Sequence, residues 1–373
     1  NTCRFLWKQV KFPTATDASN TTAQVLKQGE VQGSDVAAHS AGVLDIKTTI
    51  LPDADALFLT AIDRYGHELW RWTFPVNKLN QQTEQLSPLS SRPTYTETEN
   101  DLTVKANKRA FIFSKKDGQL KGVSVDNRKI NFANGPRFIG ARRADRSLDQ
   151  FYNHDDEKAK EKDRTYSEFP DAAVFTKLDV KEDGGNLVVT ANYKLGNLDK
   201  AQWTINPSGE LALDYTYNFS GVVDLMGIRF DYPEDQVISK RWLGAGPYRV
   251  WQNRIHGTQY DVWENDYNDP IPGETFTYPE FKGYFGDVSW MNIQTKEGTI
   301  SLTNETPDAY IGVYQPRDGR DRLLYTLPES GISVLNVIPP VRNKVNSTDL
   351  CGPSSQPKWV NGPQTGRVIF RFM

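Results

Sequence analysis

The residues with most chemical potential fall in three short stretches. Between positions 260 and 269, YDVWENDYND, the carboxylates Asp261, Glu264, Asp266 and Asp269 stand among aromatics and amides. Hard oxygen ligands at that density are what Ca²⁺ takes, but the spacing matches no calcium-loop pattern, so a polar loop is the plainer reading. In SLTNET, at 301–306, Glu305 follows Asn304. A glutamate so placed can act as the general acid of glycoside hydrolysis, with the amide on the sugar 2-hydroxyl; the same letters also read as a strand end. The third stretch, RWLGAGPYRVWQNR at 241–254, joins a Gly-x-Gly-Pro turn to three arginines and two tryptophans. A dinucleotide-type phosphate loop needs a third glycine where Arg249 stands, and a βαβ setting, so phosphate cradling is not expected.

Other catalytic patterns are missing. His39, His67, His154 and His256 form no H-x-x-x-H or H-E-x-x-H pair, and no G-x-S-x-G elbow occurs. The two cysteines, Cys3 and Cys351, are far apart and lack a histidine cluster. They argue against a zinc site and a disulfide-rich module, and leave open whether they pair. Beyond the carboxylate run at 260–269, these residues imply no metal and no cofactor.

The elements that must carry these residues alternate with period two. In NLVVTANYKL, Leu187, Val189, Ala191, Tyr193 and Leu195 share one face; ELALDYTYNF repeats this with Leu211, Leu213, Tyr215, Tyr217 and Phe219. The terminal RVIFRF does so with Val368, Phe370 and Phe372. Such alternation marks half-buried antiparallel strands. KKDGQ (115–119), KEDGGN (181–186), NPSGE (206–210) and PRDGR (316–320) supply turns between them. A sustained helical period is missing, so an all-β protein is expected. The polar stretch 77–93 reads as a linker. It separates residues 1–76, near the lower size of an immunoglobulin-like sandwich, from one large β domain over 94–373. The charged run 153–164 reads as an exposed loop.

Composition narrows the function classes. A chain of 373 residues buries a core without staples. Its net charge of −3 and lack of a basic stripe exclude nucleic acid as the expected partner. No apolar run approaches the ~20 residues of a membrane span, and no signal peptide is recognisable, so a secreted form would already be processed. Low thiol use fits a periplasmic or secreted location, and a cytoplasmic one nearly as well. Aromatics at 12%, with 9 Trp, favour strands, and an exposed Trp would suit sugar stacking.

From about Leu102 onward the chain resembles the C-terminal domain of glycoside hydrolase family 2 β-galactosidases. The carrying residues are NKRAFIFSKKDGQLKGV (107–123), GPRFIGARRADR (135–146), YPEDQVISKRWLGAGPYRVWQNR (232–254) and the terminal GPSSQPKW…RVIFRF. W-L-G-x-G-P at 242–247 is the most specific of these elements. Residues 1–76 resemble, more loosely, the immunoglobulin-like domain that precedes it. WENDYNDPIPGETFTYPEFKGYFGDVSWM is most similar to versions from gut-dwelling Bacteroides-type bacteria.

The resemblance implies an immunoglobulin-like sandwich followed by a large antiparallel supersandwich of galactose-mutarotase type. It also implies a parent enzyme whose two catalytic glutamates come from a (β/α)₈ barrel. The strand–helix alternation of such a barrel does not occur here. SLTNET is similar to the family's general-acid motif S-L-G-N-E-S, but the family places that motif in the barrel. Neither Glu305 nor any other residue of this chain is therefore expected to be catalytic. The family's last domain can lend an aromatic to the sugar, and Trp359 in GPSSQPKW is the match, in a loop that departs from the family by carrying Cys351, Pro353 and Pro357. Arg137, Arg142, Arg143 and Arg146 would, by the same resemblance, contact a neighbouring domain. On aromatic density alone, Tyr284 or Trp290 would reach the same mouth. The expectation is a non-catalytic accessory part of a β-galactosidase-like retaining hydrolase. It would support the barrel of the same polypeptide and complete a cleft for a galactoside or a plant or host glycan. A stand-alone carbohydrate-binding module is the other reading. Aldose epimerisation needs a histidine pair with a carboxylate, which four scattered histidines do not offer.

Overall fold

The computed structural model describes residues 3–17, 22–76, 91–143, 166–266, 283–313, 328, 330–340 and 352–373, and the architecture below is that of these residues. The N-terminal segment forms β1 (Arg4–Lys11), β2 (Gln24–Gln32), β3 (Ala56–Ile62) and β4 (Glu68–Pro75). Next come β5 (Thr94–Glu97), β6 (Asp101–Ala106), β7 (Arg109–Ser114), β8 (Leu120–Val125), β9 (Arg128–Ile130), β10 (Ala133–Arg143) and β11 (Tyr166–Glu168). A run of longer strands follows: β12 (Val174–Asp183), β13 (Asn186–Lys194), β14 (Leu198–Ile205), β15 (Leu211–Val223), β16 (Leu225–Asp231) and β17 (Val237–Gly246). The last are β18 (Gln259–Asp266), β19 (Trp290–Thr295), β20 (Gly298–Asn304), β21 (Tyr310–Val313), β22 (Ile332–Val337) and β23 (Lys358–Phe372).

These strands make three sheets with antiparallel pairing, the all-β architecture that the alternation implies. The first has the order β2-β1-β3-β4. A ten-stranded sheet runs β21-β22-β16-β10-β8-β7-β6-β5, with β11 on β10 and β9 on β8; a nine-stranded sheet runs β12-β13-β14-β15-β23-β20-β19-β17-β18. The two large sheets bury a common core. Phe113 of β7 meets Trp203 of β14 at 5.9 Å, Phe138 of β10 meets Tyr217 of β15 at 5.5 Å, and Phe230 of β16 meets Phe370 of β23 at 5.4 Å. The inward residues Leu211, Leu213, Tyr215, Tyr217, Phe219, Val368, Phe370 and Phe372 are the ones the period-two pattern selects. One departs: Leu195 follows the end of β13 at φ 61° and is 73% exposed, because the chain has already turned. The turn before β13 is made by Gly184 and Gly185 at φ 59° and 90°, where a side chain would be strained.

The four-stranded sheet docks on the outer face of the nine-stranded one. Val10, Phe12, Ala15, Ala56 and Phe58 pack with Leu243 and Trp290. Polar contacts reinforce this face: Trp290 Nε1 donates to Pro13 O at 3.1 Å, Asn292 Nδ2 to Ala15 O at 2.7 Å, and Arg71 pairs with Asp261 at 2.8 Å. Of the expected linker, residues 77–90 lie outside the described residues, as does the charged run 153–164.

W-L-G-A-G is correspondingly the end of β17 and not a tight turn. Trp242 points into the main core while Leu243 joins the docking face. A Cβ on Gly244 would stand 2.9 Å from Gly286 O, and one on Gly246 2.4 Å from the Trp263 ring. Trp263 Nε1 donates to Gly244 O at 3.1 Å. Glycine is required here by close approach between strands, with no phosphate involved.

Candidate functional site

Two surface features gather the nominated residues, one at each end of β10. The first is built on β23. This strand pairs with β15 from Val223↔Lys358 to Leu211↔Phe370, but β20 joins it only from Val368 onward, Asn304↔Val368 to Ile300↔Phe372. Its first half therefore extends past the sheet, and Trp359, opposite Val222, is 71% exposed. Of the described tryptophans beyond residue 91, it alone is exposed. The approach to it is fixed by a short turn, Pro353–Ser355. Gln252 Nε2 donates to Gln356 O at 2.7 Å, and Asn253 Nδ2 to Ser355 Oγ at 3.2 Å. Both anchors come from RWLGAGPYRVWQNR, whose Trp251 is buried edge-on to Tyr284 at 5.6 Å. That stretch holds the turn that leads into Trp359. Asp224 N donates to Ala141 O at 2.9 Å, which brings half-buried Arg142 to this end of the molecule. The Arg143 side chain and Arg146 lie outside the described residues, as do Cys351 and Asp269.

The second feature is a cleft of about 730 Å³ on the outer face of the ten-stranded sheet. Arg137 on β10 stands directly opposite Arg229 on β16. Arg137 pairs with Asp231, to which Asn134 Nδ2 also donates at 2.9 Å, and Arg229 lies 3.7 Å from Glu168. Burial, together with Arg137, holds the Arg229 guanidinium below its ordinary value. Burial likewise pushes the Asp171 carboxyl up, while backbone N–H donors and the two arginines pull it back. Sequence alone nominated Arg137 and missed Arg229, because a cross-strand pair across 92 positions leaves no local signal.

The remaining nominated residues are placed elsewhere. Tyr284 is 2% exposed, and burial raises its phenol well above the ordinary value. Trp290 is 5% exposed and lies beneath the Arg241 guanidinium, 5.6 Å away. Asp261, Glu264 and Asp266 lie on β18, an edge strand where a polar loop was expected. Strand alternation puts Asp261 on the opposite face from Glu264 and Asp266, and Arg71 already occupies it. Among the described residues no cluster of metal-ligating side chains forms. Glu305 is a strand-end residue paired with Arg367 at 2.9 Å, and its neighbour Asn304 ties the turn by donating to Thr306 O at 3.2 Å.

The fold is thus a large antiparallel β-sandwich with an appended small sheet, an exposed tryptophan at one rim and an arginine-lined cleft. Residues 105–338 match the beta galactosidase small chain family, more than half of the chain, and the chain belongs to that family. No curated protein sequence matches. Among solved structures, galactose 1-epimerase from Lactobacillus acidophilus NCFM is similar at 10% identity with a TM-score of 0.42, covering 76% of this chain and 99% of that one. The GalM/aldose epimerase homologue from C. elegans has 9% identity and a TM-score of 0.33, covering 75% and 99%.

Proposed function

We propose that this chain is the non-catalytic accessory part of a family 2 β-galactosidase-like retaining hydrolase. In this reading an immunoglobulin-like unit and a supersandwich buttress a catalytic barrel elsewhere in the polypeptide and complete its sugar cleft. The observation that carries the reading, given the family, is Trp359: a large indole left in solvent at the start of β23, just after a turn that Gln252 and Asn253 anchor. An indole face offers apolar contact to a pyranose without adding charge. Arg142 and Arg143, at the same end of β10, would meet the neighbouring domain. In this reading Glu305 has a structural role, its carboxylate paired with Arg367.

Two measurements test this. The chain alone should not turn over nitrophenyl β-galactoside; turnover abolished by Glu305→Gln refutes the accessory reading. In calorimetry with galactosides the chain alone should show no binding at millimolar or tighter affinity. Millimolar or tighter binding that Trp359→Ala removes would shift the reading toward a stand-alone carbohydrate-binding module, and such binding unaltered in that variant would rule out Trp359 as the sugar contact.

A further inference from the structure

We propose that Asn361 is the polar half of the Trp359 sugar contact, its side-chain NH₂ donating to a hydroxyl of a neutral glycan whose ring lies on the indole. The proposal rests on the accessory reading above and adds to it a specificity-determining residue and a charge class of ligand.

Register places the two side chains together. Along the start of β23, Trp359, Asn361, Pro363 and Thr365 are exposed, while Val360 packs against the main core. Strand alternation puts these four on the outward face, with Trp359 and Asn361 about 7 Å apart. On β15, Val222, Ser220, Asn218 and Thr216 stand opposite them in the same order. β20 pairs only from Val368 onward, so among the described residues this row has a neighbouring strand on one side only.

Hydrogen bonding decides which way the Asn361 amide faces. The Gly362 N–H donates to Ser220 Oγ at 3.3 Å, and Ser220 Oγ donates to Asn361 Oδ1 at 2.9 Å. Ser220 thus uses a lone pair and its one proton, with the amide oxygen of Asn361 facing it. The NH₂ is turned away from Ser220. Among the described residues nothing accepts from that NH₂ or from Trp359 Nε1. Two unused donors therefore stand beside an exposed indole, and sugar hydroxyl oxygens are acceptors for both.

The surroundings select for a neutral sugar. Ser220, Pro363 and Thr365 carry no charge, and the Asn218 amide is engaged by Asp199. Arg367, farther along β23, is paired with Asp214 and Glu305. Lys358, next in sequence to Trp359, alternates to the opposite face. An acidic sugar would meet no unpaired cation on this row, whereas a neutral ring meets an apolar face with donors at its edge.

The test is an NMR titration of the isotopically labelled full chain with galactobiose, a neutral disaccharide, and with digalacturonate. With galactobiose, the Trp359 indole N–H and the Asn361 side-chain amide should shift together, with half-saturation at about 10–100 mM, weaker than a stand-alone module would show. Asn361→Ala should lower the initial slope of the Trp359 shift about three- to tenfold, the equivalent of one neutral hydrogen bond. Ser220→Ala keeps the NH₂ but frees the amide to turn, and should lower that slope about twofold. Both positions are exposed, so the fold should survive either change. Four results overturn the proposal: a Trp359 shift with Asn361 still, a wild-type slope in Asn361→Ala, a response to digalacturonate at lower concentration than to galactobiose, or no shift of either signal. The accessory reading is decided separately, by turnover and by millimolar binding of the chain alone, so a Trp359 shift that ignores Asn361 leaves it standing.

Discussion

Trp290→Ala should release the N-terminal sheet while leaving the large sandwich folded. The indole is 5% exposed and packs outward from β19 onto Val10, Phe12, Ala15, Ala56 and Phe58. Its inner neighbour Met291 faces the main core, so the truncation opens a cavity on the docking side only. Replacing a buried Trp by Ala costs about 3–5 kcal/mol, of which the lost Nε1–Pro13 hydrogen bond supplies about 1. What remains includes a T-shaped Phe12–Tyr260 contact at 5.6 Å, the Leu243 side chain, the Arg71–Asp261 pair, the Asn292–Ala15 bond, and donations from Thr73 Oγ1 to Tyr260 O at 3.1 Å and from Arg241 to Asp17 O at 2.7 Å. Polar contacts at a partly exposed seam hold the small sheet less firmly than the apolar patch around Trp290 does. The assay is hydrogen exchange read by segment. Amides of β1 and β3 should exchange about a hundred- to a few-thousandfold faster, the equivalent of ~3–5 kcal/mol of local opening. Amides of β13–β15 should keep wild-type protection. Uniform acceleration across both regions, or no change in β1 and β3, refutes the assignment of Trp290 to docking.

The buried pair of Glu210 and Arg371, 3.1 Å apart, should be costly to break from one side. Arg371→Met should lower unfolding free energy by about 3–5 kcal/mol, and the double change with Glu210→Leu by much less; equal losses in denaturant titrations would contradict this. Burial, with Asp308 nearby, pushes the Asp287 carboxyl above its ordinary value of 3.8. Folding then favours the neutral acid, so the stabilisation is full below about that value and is lost as pH rises through the raised one. Asp287→Asn, compatible with its φ of 49°, should therefore raise Tm at neutral pH and make no difference near pH 3; a shift equal at both pH values counts against it. Trp359→Ala, at an exposed position, should move stability by no more than about 0.5 kcal/mol in chemical denaturation.

Much of the sandwich was legible in the sequence because each of its main strands buries one face. In β13, β15 and β23 the alternation is a direct record of which side chains meet the opposing sheet. The rule gave less at β17 and β18, for two physical reasons. W-L-G-A-G is buried on both faces, core on one side and docked sheet on the other, so it carries no period and its glycines mimic a turn. Asp261, Glu264 and Asp266 gave 260–266 the polarity of a loop, yet an edge strand tolerates carboxylates on both sides when one is paired and the others meet solvent.

For the candidate site, residue type by itself identified Trp359 only through resemblance, since the sequence gives every tryptophan the same chemistry. Burial separates them: Trp242, Trp251 and Trp290 are spent on packing, and Trp359 is left in solvent by a strand that outruns its neighbour. Arg137 could be nominated alone, but not beside Arg229. Sequence therefore determined the one-face-buried strands, their inward faces and turns such as the one at Gly184–Gly185, which depend on local period and backbone freedom. Tertiary structure decided which aromatics stay exposed and which charges confront each other, because both are set by register between segments that only folding brings together.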